Sequence, residues 1–314
     1  MTLIAPAAAD SSTPSSRRAE RALRPRWRLP VLPLAIAVVC LLGILILMYP
    51  SVAGWFSQYE QSRMIDEYST EVEVLGPEGV AGEIERAHAY NTDLVGGASV
   101  AAGERLPVVD GAAVDNDYSS LLSADDQGLM ARLRVPSIGV DLPIYHGVSE
   151  AVLQRGVGHL EGTALPVGGE DTHAVLTAHR GLASSTLFTN LDQVDEGDLF
   201  SIEVFGDVLT YRVISTQVVA PSETETLYPL VGEDLVTLVT CTPLGINSHR
   251  ILVTGERILP TPPAEVAQAG QTPDIPGFPW WTLILAAAAL TLGLYVWWSG
   301  RPARRRRSRS AGKP

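Results

Sequence analysis

The sequence predicts an all-β domain, a sandwich or barrel of about 130 residues, held outside a membrane between two spanning helices and preceded by a helical arm. Three observations carry this. Two long apolar runs are each flanked by arginines. The chain from Gly128 onward breaks into short alternating or β-branched runs divided by glycine, proline and acidic turns. The charge is partitioned: of 23 basic and 35 acidic residues, 13 basic and two acidic lie in residues 1–29 and 301–314, leaving 10 and 33 between. A middle near -23 excludes a nucleic-acid binder, because phosphate neutralisation requires a cationic surface.

Residues 1–29 form a basic tail with Arg17, Arg18, Arg21, Arg24, Arg26 and Arg28. A membrane helix follows over 30–50, since the uncharged run Val31 to Tyr49 is long enough to cross a hydrocarbon core of ~30 Å. That run exceeds the apolar stretch of a cleavable signal peptide, so an anchor is preferred over cleavage near Ser51-Val52-Ala53. Residues 51–124 are the arm. Trp55, Tyr59, Met64, Ile65 and Tyr68, then Glu83 to Tyr90, recur at near-helical spacing and predict two amphipathic helices parted by Gly76 and Pro77, with a loose segment from Gly96 to about Leu122.

Within the β domain, 125–259, the predicted strands are Met130 to Val135, Val140 to Tyr145, Val157 to Leu160, Thr172 to Ala178, Leu199 to Phe205, Val208 to Val219, Leu235 to Cys241 and Arg250 to Glu256. Glu150 to Gln154 and Ser184 to Leu191 read as short helical turns. The proline-rich stretch 260–279 predicts a semi-stiff tether. A second membrane helix spans 280–298, bracketed by tryptophan pairs suited to the two interfaces, and a basic tail occupies 299–314. Arginines on the outer flank of both spans put both tails in the cytoplasm and the acidic middle outside.

Cys40 lies in the first span, so Cys241 is the one thiol of the exported region, where cysteines ordinarily pair. It ends a strand-like run. Pro243, Gly245 and Asn247 then turn the chain, and Arg250 opens the next run. Antiparallel pairing of the two runs sets Cys241 beside Arg250 at one rim. A guanidinium there favours the thiolate and offers donors to an oxyanion, which suits acyl transfer. The departing amine needs a proton donor. Among six histidines, His179 ranks first because it ends an apolar strand at a rim, and His249 second; strand alternation turns His249 away from Arg250. His88, His146, His159 and His173 rank lower. The competing reading of Cys241 is an inert buried thiol in a non-catalytic, membrane-tethered structural module.

TLVTC together with TAHRG and the spacing to Arg250 resembles the signature of the sortase family. RVPSIGVDLPIYHG, LQRGVGHLEGTALPVGG and TLVTCTPLGINSHRILVTGER, with two membrane spans, are similar to its class C, pilus-assembling members over about residues 59–259. The resemblance implies a closed eight-stranded sortase-type β-barrel with short helices. It implies Cys241 as nucleophile, His179 as acid and base, and Arg250 as the group that aligns substrate and steadies the tetrahedral intermediate. It further implies an LPxTG-like sorting signal cut between Thr and Gly, a thioester intermediate, and transfer to a pilin lysine amine at a Gram-positive cell surface. Attachment of surface proteins to peptidoglycan is the alternative within the family; one anchor is more usual there. Members of class C carry a lid with an Asp-Pro-aromatic motif. This chain departs from it: VDNDYSSLL offers Tyr118 as the ring and Asp115 or Asp117 as the anion, with no proline after an aspartate.

No cofactor and no metal are expected, because no phosphate-binding P-loop, His-Glu-x-x-His or Cys-x-x-Cys motif is present. The expected partners are pilins or surface proteins bearing LPxTG-like signals, an acceptor lysine of a pilin, and the membrane. Lys313 is the only lysine of the chain, so the chain is poorly suited to being a pilin itself.

Overall fold

The computed structural model describes residues 27–100, 118–124, 128–273 and 276–301. The chain packs as two compact units. One comprises Ile44–Leu285, and the other the segments up to Gly43 and from Ala286 onward. Among the described residues, two helices are long and apolar enough to cross a membrane: the first part of α1 (Val31–Val100) and α4 (Trp280–Ser299). In the smaller unit their arginine-flanked ends meet, where Trp27 Nε1 donates to the Trp297 carbonyl at 3.2 Å and the Arg28 N–H to that of Gly300 at 3.3 Å.

In the larger unit eight strands close a barrel in the order β1-β2-β3-β4-β7-β8-β6-β5. They are β1 (Leu129–Val135), β2 (Val140–His146), β3 (Val157–His159), β4 (Thr172–Thr177), β5 (Leu199–Val204), β6 (Asp207–Val219), β7 (Asp234–Thr242) and β8 (His249–Arg257). All eight predicted strands are present, and the alternative of a sandwich gives way to closure. The hairpins β1–β2, β5–β6 and β7–β8 are antiparallel, whereas β2–β3 and β4–β7 are parallel. A short helix, α2 (Glu150–Leu153), makes the crossover from β2 to β3.

Alternation along the strands sorts residues onto two faces. Ala174, Leu176 and Ala178 on β4 and its continuation, Val236 and Leu238 on β7, and Ile251 and Val253 on β8 fill the barrel interior. Val175, Val239 and Leu252 point outward into a small separate cluster with Val219, flanked by Leu160 and Leu227. Gly255 belongs to β8 because a Cβ there would run into the Phe200 ring inside the barrel.

The arm is one helical element that kinks at Gly76, whose φ of 67° and ψ of 172° break the ladder. Pro77 disfavours a helical residue before it, and only glycine takes this conformation without strain. The two predicted arm helices are thus seen, but the first is continuous with the membrane run, and the second extends through Val100 beyond the predicted opening of the loose segment at Gly96. The arm is pinned to the barrel by buried polar side chains. Tyr68 Oη donates to the Met130 carbonyl at 3.1 Å and accepts from the Phe205 N–H at 2.8 Å. Asn91 accepts from the Leu165 N–H at 2.7 Å and donates to its carbonyl at 3.0 Å.

Two expectations are corrected. Ser184 to Leu191, expected as a short helical turn, forms non-helical turns up to Asn190, and Leu191 opens a 3₁₀ turn at Leu191–Gln193. The stretch after Leu259, expected as a semi-stiff tether, is docked on the barrel as far as Gln271. It contains α3 (Pro263–Val266), and buried Arg132 donates to the Gln271 carbonyl at 2.7 Å while Glu203 accepts from the Gly270 N–H at 2.7 Å. Arg134 bonds the backbone and side chain of Gln268. These contacts are mostly to backbone, so no side-chain periodicity in 260–279 announced them.

Candidate active site

Strand register decides which side chains meet. In the antiparallel β7–β8 pair, Cys241 and Arg250 are Cα partners, so their side chains leave the sheet on one face. His249 is opposite Thr242 and turns to the other face. In the parallel β4–β7 pair, Thr177 is level with Val239. That pairing continues upward: the Ala178 N–H donates to the Val239 carbonyl at 3.2 Å, and Thr240 Oγ1 donates to the Ala178 carbonyl at 2.7 Å. Two residues beyond Thr177, His179 is therefore level with Cys241. By the alternation that sends Ala178 and Thr240 inward, His179, Cys241 and Arg250 all face outward at one rim. They stand directly above the outward apolar cluster of Val175, Val239 and Leu252.

His179 and Arg250 are each held from behind. The His179 carbonyl accepts the Phe188 N–H at 3.1 Å. Arg250 folds over the β7–β8 turn, its Nη1 donating to the carbonyls of Asn247 and His249, each at 3.0 Å. Asn247 at φ 57° and Gly245 at φ 76° supply the left-handed residues of that turn. Cys241 is half-buried and is not in a disulfide.

Two neighbours escaped the sequence reading. Glu150 places both carboxylate oxygens 3.2 Å from His179 Nε2. A hydrogen bond from Gln154 first, and the nearby His179 second, hold the Glu150 carboxyl below the usual carboxylate range. Arg180 donates Nη1 to Thr242 Oγ1 at 2.8 Å and pairs through Nη2 with Asp192 at 2.6 Å, tying the loop after β4 to the residue after the thiol. The only signals for them were the helical turn that begins at Glu150 and the place of Arg180 beside His179 in TAHRG.

The remaining histidines have other partners. His173 is buried with Nε2 2.7 Å from Thr237 Oγ1, and burial pushes its pKa down. His249 is exposed beside Ser248. His88 lies on the arm helix. Tyr118, predicted as the ring of a lid, is fastened elsewhere. Its hydroxyl is 2.7 Å from His159 Nδ1 and accepts from the Gly147 N–H at 3.1 Å, and its ring meets His146 edge-on. His159 is opposite the inward Leu176, so Tyr118 sits on the barrel's inner side, away from the outward face of the thiol. His159 Nε2 donates to the Ala164 carbonyl at 2.8 Å, which leaves Nδ1 to accept the tyrosine proton. Asp115 and Asp117 lie outside the described residues.

The sortase domain model matches residues 133–258. Sortase C-1 from Actinomyces oris is 45% identical in sequence, with 57% of this chain and 98% of that chain covered at a TM-score of 0.50. The chain belongs to the sortase family. Sortase C1 from Streptococcus agalactiae is likewise similar to it, at 39% identity over 62% of this sortase and 98% of that chain, with a TM-score of 0.57. Sortase D from Bacillus subtilis is 27% identical over 129 residues, 40% of this chain and 62% of the relative, so this sortase matches less than two thirds of the length of that curated relative. The class C likeness read from the motifs is supported by these structural neighbours.

Proposed function

We propose that this sortase is a membrane-anchored cysteine transpeptidase that joins pilin subunits. In this reading Cys241 is the nucleophile, His179 the proton carrier and Arg250 the oxyanion donor. The observation that carries it is the convergence of the three on one outward face at one rim, above an apolar strip.

The steps balance without a cofactor. The Cys241 thiolate adds to the threonyl carbonyl carbon, and the Arg250 guanidinium stabilises the oxyanion. Collapse breaks the Thr–Gly bond, and the His179 imidazolium gives its proton to the departing glycine amine, leaving a threonyl thioester. A pilin lysine amine then adds to the thioester carbonyl, His179 takes the amine proton, and the thiolate leaves. One amide replaces another, so acyl-group energy is conserved. Both spans anchor the enzyme in the cell membrane, with residues 50–279 outside. The test is ligation: the full chain in detergent, given an LPxTG peptide and a pilin peptide bearing a lysine, is expected to yield an isopeptide-linked product. Release of the shortened acid alone, with no ligated product at saturating amine, would mark a hydrolase instead.

A further inference from the structure

Glu150 reaches toward His179 from the surface. It opens α2, which Ser149 caps by accepting the Val152 N–H at 3.4 Å. One turn on, Gln154 Nε2 donates to Glu150 Oε1 at 2.9 Å and holds the carboxylate over the imidazole edge. Both carboxylate oxygens then lie 3.2 Å from His179 Nε2. The other charged groups near the ring are committed elsewhere or belong to the reaction. Arg180, on the loop after β4, is turned to Asp192 and Thr242, and Cys241 and Arg250 share the outward face from β7 and β8. Among the described residues Glu150 is the one carboxylate paired with His179.

We propose that Glu150 is the positioning residue of His179, accepting the Nε2 hydrogen so that Nδ1 is the nitrogen that exchanges protons at the reaction centre. The nitrogen left free to meet the departing glycine amine sets the geometry of proton transfer, so the pair bears on the first half-reaction of the function proposed above, on which the inference rests. The electrostatic part is modest and screened by salt, because the Glu150 side chain is 66% exposed.

The experiment is ring NMR of histidine-labelled full chain in detergent, with His179 assigned by its loss in His179→Gln, comparing parent and Glu150→Gln. The ratio of the Nε2–H to the Nδ1–H tautomer of His179, read from its ring nitrogen shifts, is expected to fall about threefold in Glu150→Gln. Thioester formation is expected to slow by a similar factor, with KM and thermal stability unchanged. Gln154→Ala, which loosens the carboxylate without removing it, is expected to fall between the two. Equal ratios in parent and Glu150→Gln would overturn the inference. A lowered ratio in a chain that ligates nothing would overturn the transpeptidase reading and leave the role of Glu150 standing.

Discussion

Tyr68→Phe tests how the arm is joined to the barrel. Tyr68 is 3% exposed, and its hydroxyl serves two backbone groups at once, accepting from Phe205 N–H and donating to Met130 C=O. Burial pushes the hydroxyl's pKa upward, so it stays a neutral donor at any working pH. The variant keeps the ring and its edge-on contact with Phe205 at 6.0 Å, and deletes only the oxygen. The Met130 carbonyl retains a second lone pair, so the main cost is an orphaned, buried N–H at Phe205. One such group costs about 1–3 kcal/mol, and with the weaker carbonyl loss the sum is about 2–3 kcal/mol. For a unit of this size each kcal/mol moves Tm by about 2–4 °C, so near-ultraviolet circular dichroism is expected to show a fall of about 4–12 °C. Faster amide exchange at Phe205 should accompany it. Tyr59→Phe, at a 40% exposed tyrosine, is the control and should stay within about 0.5 kcal/mol. A Tyr68→Phe protein as stable as that control, with Phe205 still protected, would refute the hydroxyl as the pin.

Three further outcomes are expected. Burial lowers the His159 pKa from 6.5 to about 4, so the unfolded chain binds the extra proton first as pH falls; stability contributed by the neutral ring is present above pH 6.5 and is lost between 6.5 and about 4. That loss approaches about 3 kcal/mol, and Tm against pH should flatten in this window in His159→Gln. Arg132→Met leaves the carboxylates of Asp141 and Glu203 without their guanidinium, whose side chain is 3% exposed. It should destabilise by about 3–5 kcal/mol and hasten protease cleavage within 260–273, read by gel and mass. Gly181→Ala puts a Cβ against Leu244 at φ 75°, so the turn beside Cys241 should shift and ligation should slow, with a stability cost of about 1–2 kcal/mol by thermal melt.

The strands were legible because glycine, proline and acidic turns bound each β-branched run, and the barrel obeys the same alternation that the sequence displays. Cys241 and Arg250 were legible for a related reason: a hairpin with a short turn can pair its flanks in few registers, and the observed register makes them partners. His179 was preferred over His249 because it ends an apolar strand at a rim, whereas alternation turns His249 away from Arg250; in the structure His249 is opposite Thr242. Glu150 was not legible. Its reach to His179 depends on how α2 crosses between parallel β2 and β3, a long-range placement that no local pattern encodes. Tyr118, an aromatic beside aspartates, fits a lid motif in the sequence, and in the structure buried His159 and the Gly147 N–H take up its hydroxyl, contacts that no local pattern encodes. The docking of 260–273 escaped notice because it is made chiefly through carbonyls and an N–H that every residue possesses.

The most direct test of the account is the mass of the thiol itself. Full-length chain mixed with an LPxTG peptide, quenched in acid and digested, should carry a Leu-Pro-x-Thr acyl group on the peptide containing Cys241. Cys241→Ala should carry none, and added amine should discharge the adduct from the parent. A parent that never acquires the acyl group, or an adduct that survives in Cys241→Ala, would contradict the assignment of the outward rim of β4, β7 and β8 as the reaction centre.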